Sequence, residues 1–349
     1  MRPAHLAVGC AVVLVSLGVQ AQEAPLKFSG HYKNLALRTR TFPGEPYALD
    51  LNRLRLQLQG PMSQWFAVDL AHDSELRLEA GGASRGRHRL YRASATGSLG
   101  DVDLKAGRQR IAWGTGRFWS PLDIVNPIGP VALEREERAG IDAFLAEAKF
   151  GPLSRLSLLY VPRRDAPPDR ALRWHGNARG TDYSIVVGRL ADQDVFGLDV
   201  ATQLGTAGLR AELTRQKPSA ATAFGRAVVG IDYAFANTLT LTAELFYNGG
   251  GTRDRARYDF SRLLAGRTPA LATRYAGLYV GYEITPLLKC SSHSVFNIDD
   301  SSRALDLRLA WSVRPNLDLG AGVQRFSGPF RSEFGRLPDV LFGQLQWFF

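Results

Sequence analysis

Apolar and polar side chains alternate along the second half of the chain, and this alternation restricts the fold more than any other feature. Ala227, Val229, Ile231, Tyr233 and Phe235 share a face, with Asp232 opposite. Leu239, Leu241, Ala243, Leu245 and Tyr247 share the next, against Thr240, Thr242, Glu244 and Asn248. Ala276, Leu278, Val280, Tyr282 and Ile284 repeat the pattern. So do Leu305, Leu307, Leu309, Trp311 and Val313, against Asp306, Arg308 and Ser312. A period of two belongs to β-strands, whose successive side chains point to opposite faces. No useful stretch carries the period of a helix. The chain is therefore all-β, and its many strands must manage their hydrogen-bonding edges as a sandwich or a closed barrel.

The first half reads the same way, less cleanly. Residues 26–40 and 64–73 are strand-like, and in 53–59 three leucines face away from Arg53, Arg55, Gln57 and Gln59. Residues 60–63 read as a turn, and 74–87, charged and glycine-rich, as a loop. Segments 88–99 and 102–113 flank a tight Gly100-Asp101 turn, a hairpin signal. Further strands are expected at 141–150, 155–164, 181–190, 195–204 and 209–216.

Connections in the second half alternate in length. Residues 237–238, 286–287 and 314–316 are short, whereas 217–224, 249–272 and 327–338 are long. A transmembrane antiparallel barrel has this asymmetry, with short turns at one end and longer loops at the other. A soluble sandwich gives no reason for it. The final segment agrees: Leu341, Leu345, Trp347 and Phe349 oppose Gln344 and Gln346, a strand suited to pair with the first and face lipid. Counting gives 17 strands, and a barrel with both ends on one side needs an even number. A strand hidden at 171–176 would make 18, and a misread one in the first third would leave 16. About 20 residues per strand favours 16, with 18 as the alternative.

One insertion stands out, at 114–140. Gly114, Gly116, Pro121, Pro127, Gly129 and Pro130 rule out a regular strand there, and a loop this long usually has a function. In a barrel it either folds inward to narrow the lumen or packs on the rim. Arg117 and Glu134 are its candidates for lining a constriction. The face opposite the apolar stripes supplies the others: Arg53, Arg55, Arg210, Glu244 and Arg308. That face suits a watered lumen or a salt-bridged interior.

The formal charge is +10, and lysine accounts for only six of the 43 basic residues. The start of the chain speaks against nucleic acid as the partner. Arg2 precedes an apolar run from Leu6 to Val19, and Val19-Gln20-Ala21 fits a cleavage site, so 1–21 reads as a secretory signal peptide. Residues 22–349 would then form a single barrel. Arginines spread through strands bias a lumen toward anionic solutes. Cys290 is the one cysteine after the signal, and the histidines form no ligand-spaced cluster, so no disulfide, metal or cofactor is expected. An outer-membrane lipid-modifying enzyme is one alternative, because Ser291, Ser292, His293, Ser294 and Asn297 share a segment. Alternation sets Ser292 and Ser294 opposite His293, which spoils the simplest dyad. A structural or export component of an envelope complex is another alternative.

Several motifs resemble known proteins. The signal-like start, the alternating strands and the terminal Trp347-Phe348-Phe349 resemble a Gram-negative outer-membrane protein. Gly107 to Gly114, continuing to Asp123-Ile124-Val125-Asn126-Pro127, resembles a poorly characterised set of porin-like proteobacterial proteins, as do 282–287 and 296–300. The resemblance covers the chain after the signal. It implies a porin-like channel in the bacterial outer membrane, passing small hydrophilic solutes with a mild anion preference. It also implies a monomer or trimer among outer-membrane lipids, read by the barrel assembly machinery through the strand ending at Phe349.

Overall fold

A computed structural model describes residues 26–41, 44–82, 84–125, 127, 129–134, 138–264, 266 and 268–349. The expected signal peptide, 1–21, lies outside these residues. Eighteen strands follow one another around a single sheet. They are β1 Lys27–Arg40, β2 Pro46–Ser63, β3 Phe66–Glu79, β4 Arg85–Leu99, β5 Val102–Gln109 and β6 Ile141–Lys149. Next come β7 Arg155–Val161, β8 Asp169–Ala178, β9 Thr181–Leu190, β10 Gln193–Leu204, β11 Ala207–Pro218 and β12 Phe224–Ala234. The last six are β13 Thr240–Asn248, β14 Arg274–Thr285, β15 Leu288–Asn297, β16 Ser302–Arg314, β17 Leu317–Ser327 and β18 Val340–Phe348.

The sheet closes where the terminal segment meets the first strand. β18 pairs antiparallel with β1, from His31 opposite Phe348 to Arg38 opposite Leu341. Gly30 and Phe349 exchange both backbone hydrogen bonds, at 2.9 and 3.0 Å. Closure removes both sheet edges, which a bilayer requires because lipid offers no substitute partners. The turns at 64–65, 100–101, 179–180, 205–206, 286–287 and 315–316 gather at the end shared by the start of β1 and the finish of β18. Connections 110–140, 249–273 and 328–339 gather at the other end.

The strand number is 18 and not 16. The hidden strand is β8. Leu172 and Trp174 face outward while Ala171, Arg173 and His175 face inward, in register between Tyr160 of β7 and Arg189 of β9. Arg170, Arg173 and His175 mask its alternation, and long connections inflate the residues-per-strand average. The expected loop at 74–87 also shrinks, to 80–84: β3 runs on to Glu79 and β4 begins at Arg85. Residues 60–63 are no turn but the end of β2, with a register slip between Pro61 and Ser63. β5 stops at Gln109, so the insertion spans 110–140.

Outward side chains are mostly large and apolar. Phe144, Leu158, Val187, Leu213, Val229, Leu245, Leu309 and Leu341 are all exposed. Phe28, Trp65, Phe66, Tyr282, Trp311 and Trp347 mark the short-turn end of this band, an interfacial position that suits amphipathic rings. Arginines mark the other end. Arg38, Arg108, Arg170, Arg189, Arg215, Arg274, Arg303 and Arg325 all alternate with inward residues and face out near the long-loop end. Each loop-joined hairpin has one except β3–β4, whose Arg77, Arg85, Arg87 and Arg89 fall on the inward parity.

Candidate constriction and basic cavity

The insertion lies inside the barrel, held by carboxylates of the wall. The Gly114-Thr115-Gly116 turn brings backbone amides together as a small anion nest. Glu212 on β11 fills it, accepting from the N–H groups of Thr115 and Gly116 at 2.5 Å each, from Leu122 at 3.1 Å, and from the Ser120 hydroxyl at 3.1 Å. Gly114 has φ +99°, and a Cβ there would sit 2.7 Å from the Glu212 carboxylate. Two strands on, Glu244 of β13 accepts from the N–H of Arg117 at 2.6 Å, Phe118 at 2.8 Å and Trp119 at 3.4 Å. Arg210 pairs with Asp232 and approaches Glu244 to 3.5 Å.

Apolar packing fixes the same segment. Phe118 lies over Gly277, where a Cβ would come 2.6 Å from its ring, and stacks on His293 at 4.1 Å between centroids. Trp119 stacks on Phe246 at 5.2 Å. Ile111, Trp113 and Leu122 join Leu159, Val186, Leu190 and Val195 in a second cluster. The inner wall along β6–β10 is thus largely apolar near the insertion. The expected polar inward face holds on that arc only away from the insertion, where Ser157, Arg173, Ser184 and Asp199 point inside.

The far end of the insertion reaches the opposite wall. Glu134 accepts two hydrogen bonds from Arg53, both at 2.8 Å, and pairs with Lys33 of β1 at 3.1 Å. Burial works to raise the Glu134 carboxyl, but the Arg53 and Lys33 charges outweigh it and leave it below the usual carboxylate range. Arg308 of β16 donates to the Leu133 carbonyl at 2.6 Å and to Asp306. Strands β2 and β11 stand half a circuit apart in the 18-strand order. The insertion therefore crosses the lumen and is fastened on both sides.

Beside that crossing is a cavity of about 180 Å³. Arg53, Arg55, Arg77, Arg87 and Arg89 line it with His31, Tyr91, Glu75 and Glu134. Arg55 is held by Asp73 at 2.6 Å and lies over the Tyr91 ring at 4.3 Å. Arg53 also donates to Glu75 at 2.8 Å. Arg87 and Arg89 have no carboxylate partner among the described residues. Arg138, where the insertion rejoins the wall, has its pKa lowered by burial and by the neighbouring charges of Arg110 and Arg89. The arrangement offers surplus positive charge beside the insertion that crosses the lumen.

Of the residues expected to line the lumen, Arg53, Arg55, Arg210, Glu244 and Arg308 face inward, and Arg53, Arg55 and Glu134 meet at one cavity. Arg117 is exposed and offers only its backbone to Glu244. Alternation places Glu212 inward with Arg210 but does not mark it as an anchor, and Lys33, Arg87 and Arg89 are site residues outside the sequence expectations. Arg85, Arg87 and Arg89 alternate with Gly86, His88 and Leu90, a strand signal visible in the sequence but hidden by reading 74–87 as a loop. The serine–histidine alternative gains no geometry: His293 faces Phe118 inside, and Ser292 and Ser294 face out, 3.4 Å from each other.

No protein-family model and no curated protein matches this chain. Solved structures do match. Pseudomonas aeruginosa OccK5 (OpdH) superposes with a TM-score of 0.63 at 14% identity, covering 93% of this chain and 97% of that one. The outer membrane protein OpdK of P. aeruginosa gives 0.60 at 12% identity, covering 93% and 98%. P. aeruginosa OccK2 (OpdF), solved in complex with glucuronate, gives 0.59 at 12% identity, covering 93% and 96%. The likeness at these identities is one of fold, and it extends over nearly the whole described barrel.

Proposed function

We propose that this chain is an outer-membrane, porin-like channel for small hydrophilic solutes, with a preference for anions. The observation that carries the reading is the insertion fastened across the lumen beside an arginine-lined cavity. Arg53, Arg55, Arg87 and Arg89 draw a carboxylate or similar anion to the narrow zone, while Glu134, Glu212 and Glu244 hold the insertion that sets its width. Arg210 and Arg308 support those anchors, and Arg117 presents its charge to the lumen. OccK2 bound to glucuronate, a carboxylated sugar, supports a solute of that chemistry. No chemical step is involved. In this reading residues 1–21 are the export signal, and the strand ending at Phe349 is recognised by the barrel assembly machinery. Purified protein in a planar bilayer should give discrete conductance steps, with a reversal potential in a salt gradient on the anion-selective side. A barrel that does not conduct, or one selective for cations, overturns the reading.

A further inference from the structure

The outer surface of β1–β4 departs from the rest of the band. Asn34 on β1 and Asp50 and Asn52 on β2 face outward, between the inward Lys33, Arg53 and Arg55. Asn34 donates to Asp50 at 2.6 Å and to Asn52 at 3.1 Å, and Asn52 donates to Asp50 at 2.9 Å. The Tyr32 hydroxyl bonds Asn52 from below. On β3 and β4 the outward positions hold His72, Ser74 and His88, with Ser74 3.1 Å from His88 and the two rings stacked at 5.8 Å. These groups are not at a rim. Leu70 lies on one side of them along β3 and Leu76 and Leu78 on the other, all exposed. Polar and charged groups inside a lipid-facing band are costly and normally face protein or water.

A second observation falls on the same arc. Every loop-joined hairpin except β3–β4 carries an outward arginine at the long-loop end, where anionic headgroups would lie. The hairpin that lacks it is the one with His72, Ser74 and His88. The β3–β4 half of the arc thus lacks the arginine that suits lipid headgroups, and both halves carry groups that suit hydrogen bonding.

We propose that the outward face of β1–β4 is the contact surface of a homo-oligomer, its occupant a second copy of this chain. Charge favours a copy. Asp50 lies on the same outer face as Arg38, whose guanidinium has no carboxylate partner among the described residues. A symmetry-related contact sets Arg38 of one copy against Asp50 of the next, and the Asn34 and Asn52 amides bring both donors and acceptors. Acyl chains supply neither, and a lipid phosphate meets the Asp50 carboxylate. Shape agrees: a trough of about 650 Å³ runs beside the patch over Ala36, Ala48, Ala80, Ala321 and Gly343, where side chains are small enough for close approach. The proposal rests on the barrel lying in a bilayer and not on its conducting.

The test extracts the full chain from outer membranes directly into polymer-bounded lipid discs and measures the number of copies per disc by mass. The unmodified protein should give a fixed multiple of the chain. Asp50→Leu/Asn52→Leu should fall to a single copy while the barrel keeps its heat-dependent gel shift. Val229→Ala on β12, half a circuit away, should leave the multiple unchanged. A single copy for the unmodified protein, an unchanged multiple in the double variant, or co-extraction with a different protein overturns the proposal. Loss of conductance without change in mass bears only on the channel reading.

Discussion

Glu212 and Glu244 show how a single carboxylate can hold a loop: between them they accept six backbone N–H groups of the insertion. Charge-assisted bonds in a poorly hydrated interior are stronger than neutral ones, and leaving their donors unmet is costly. Glu244→Ala should weaken the anchoring of 115–119 by about 3 kcal/mol. Faster amide exchange at Arg117 and Phe118, and a larger single-channel conductance, would register the release. A further buried carboxylate, Glu333, lies in the loop joining β17 and β18. Glu333 accepts from the Tyr275 hydroxyl, from Asn297 at 2.8 Å and from the Leu271 N–H at 3.4 Å. Burial pushes its carboxyl up to about 7, and nearby Asp300 adds to the rise. A carboxyl raised in the fold above its ordinary value favours the folded loops when protonated. That stabilisation is whole below the ordinary value of 4.5 and is lost as the pH rises through about 7. Amide exchange in 328–339 should therefore quicken between about pH 6 and about pH 8, and Glu333→Gln should flatten the dependence.

At the scale of elements, the insertion behaves as an internal strut whose position is set by the strands it touches. Gly277 on β14 is an instance. Its missing side chain leaves the space that Phe118 fills. Gly277→Val should lift Phe118 from the wall, at a cost of about 1–3 kcal/mol, the range for overpacking a tight contact. A lowered thermal midpoint and altered conductance, with barrel content unchanged by circular dichroism, would be the readout. The opposite end is tied by Glu134 to Lys33 and Arg53. Its depressed carboxyl keeps that tie intact at neutral and mildly acidic pH, so the two ends of the strut respond to different chemistry.

At the scale of the whole molecule, the interior is divided. Two apolar clusters fill the side next to β6–β16, and the arginine-lined cavity occupies the side next to β1–β4. In the proposed channel, solute selectivity falls to the arginine side. Arg87→Gln combined with Arg89→Gln removes two cations that no described carboxylate neutralises. The variant should move the reversal potential in a salt gradient toward zero, while the fold survives because neither side chain is buried. An unchanged reversal potential would place the selective charges elsewhere in the lumen.

The alternation of residues such as Val229, Ile231, Leu245 and Leu278 specified strands, outward faces and loop sidedness without any coordinates, because a period of two is a local property of the backbone. The same logic named 171–176 as the segment on which the strand number turned, but it could not decide there. Arg170, Arg173 and His175 blur the stripe, and only pairing with β7 and β9 establishes the strand. Arg53, Arg55, Arg210, Glu244 and Arg308 were legible as inward residues for the same local reason. Their partners were not. Glu134 meets Arg53, and Glu212 meets Gly116, across 81 and 96 residues of sequence. Which inward carboxylate receives an irregular, proline-broken insertion depends on how far the barrel carries each strand around its circuit. That is a consequence of closure, settled only when β18 meets β1.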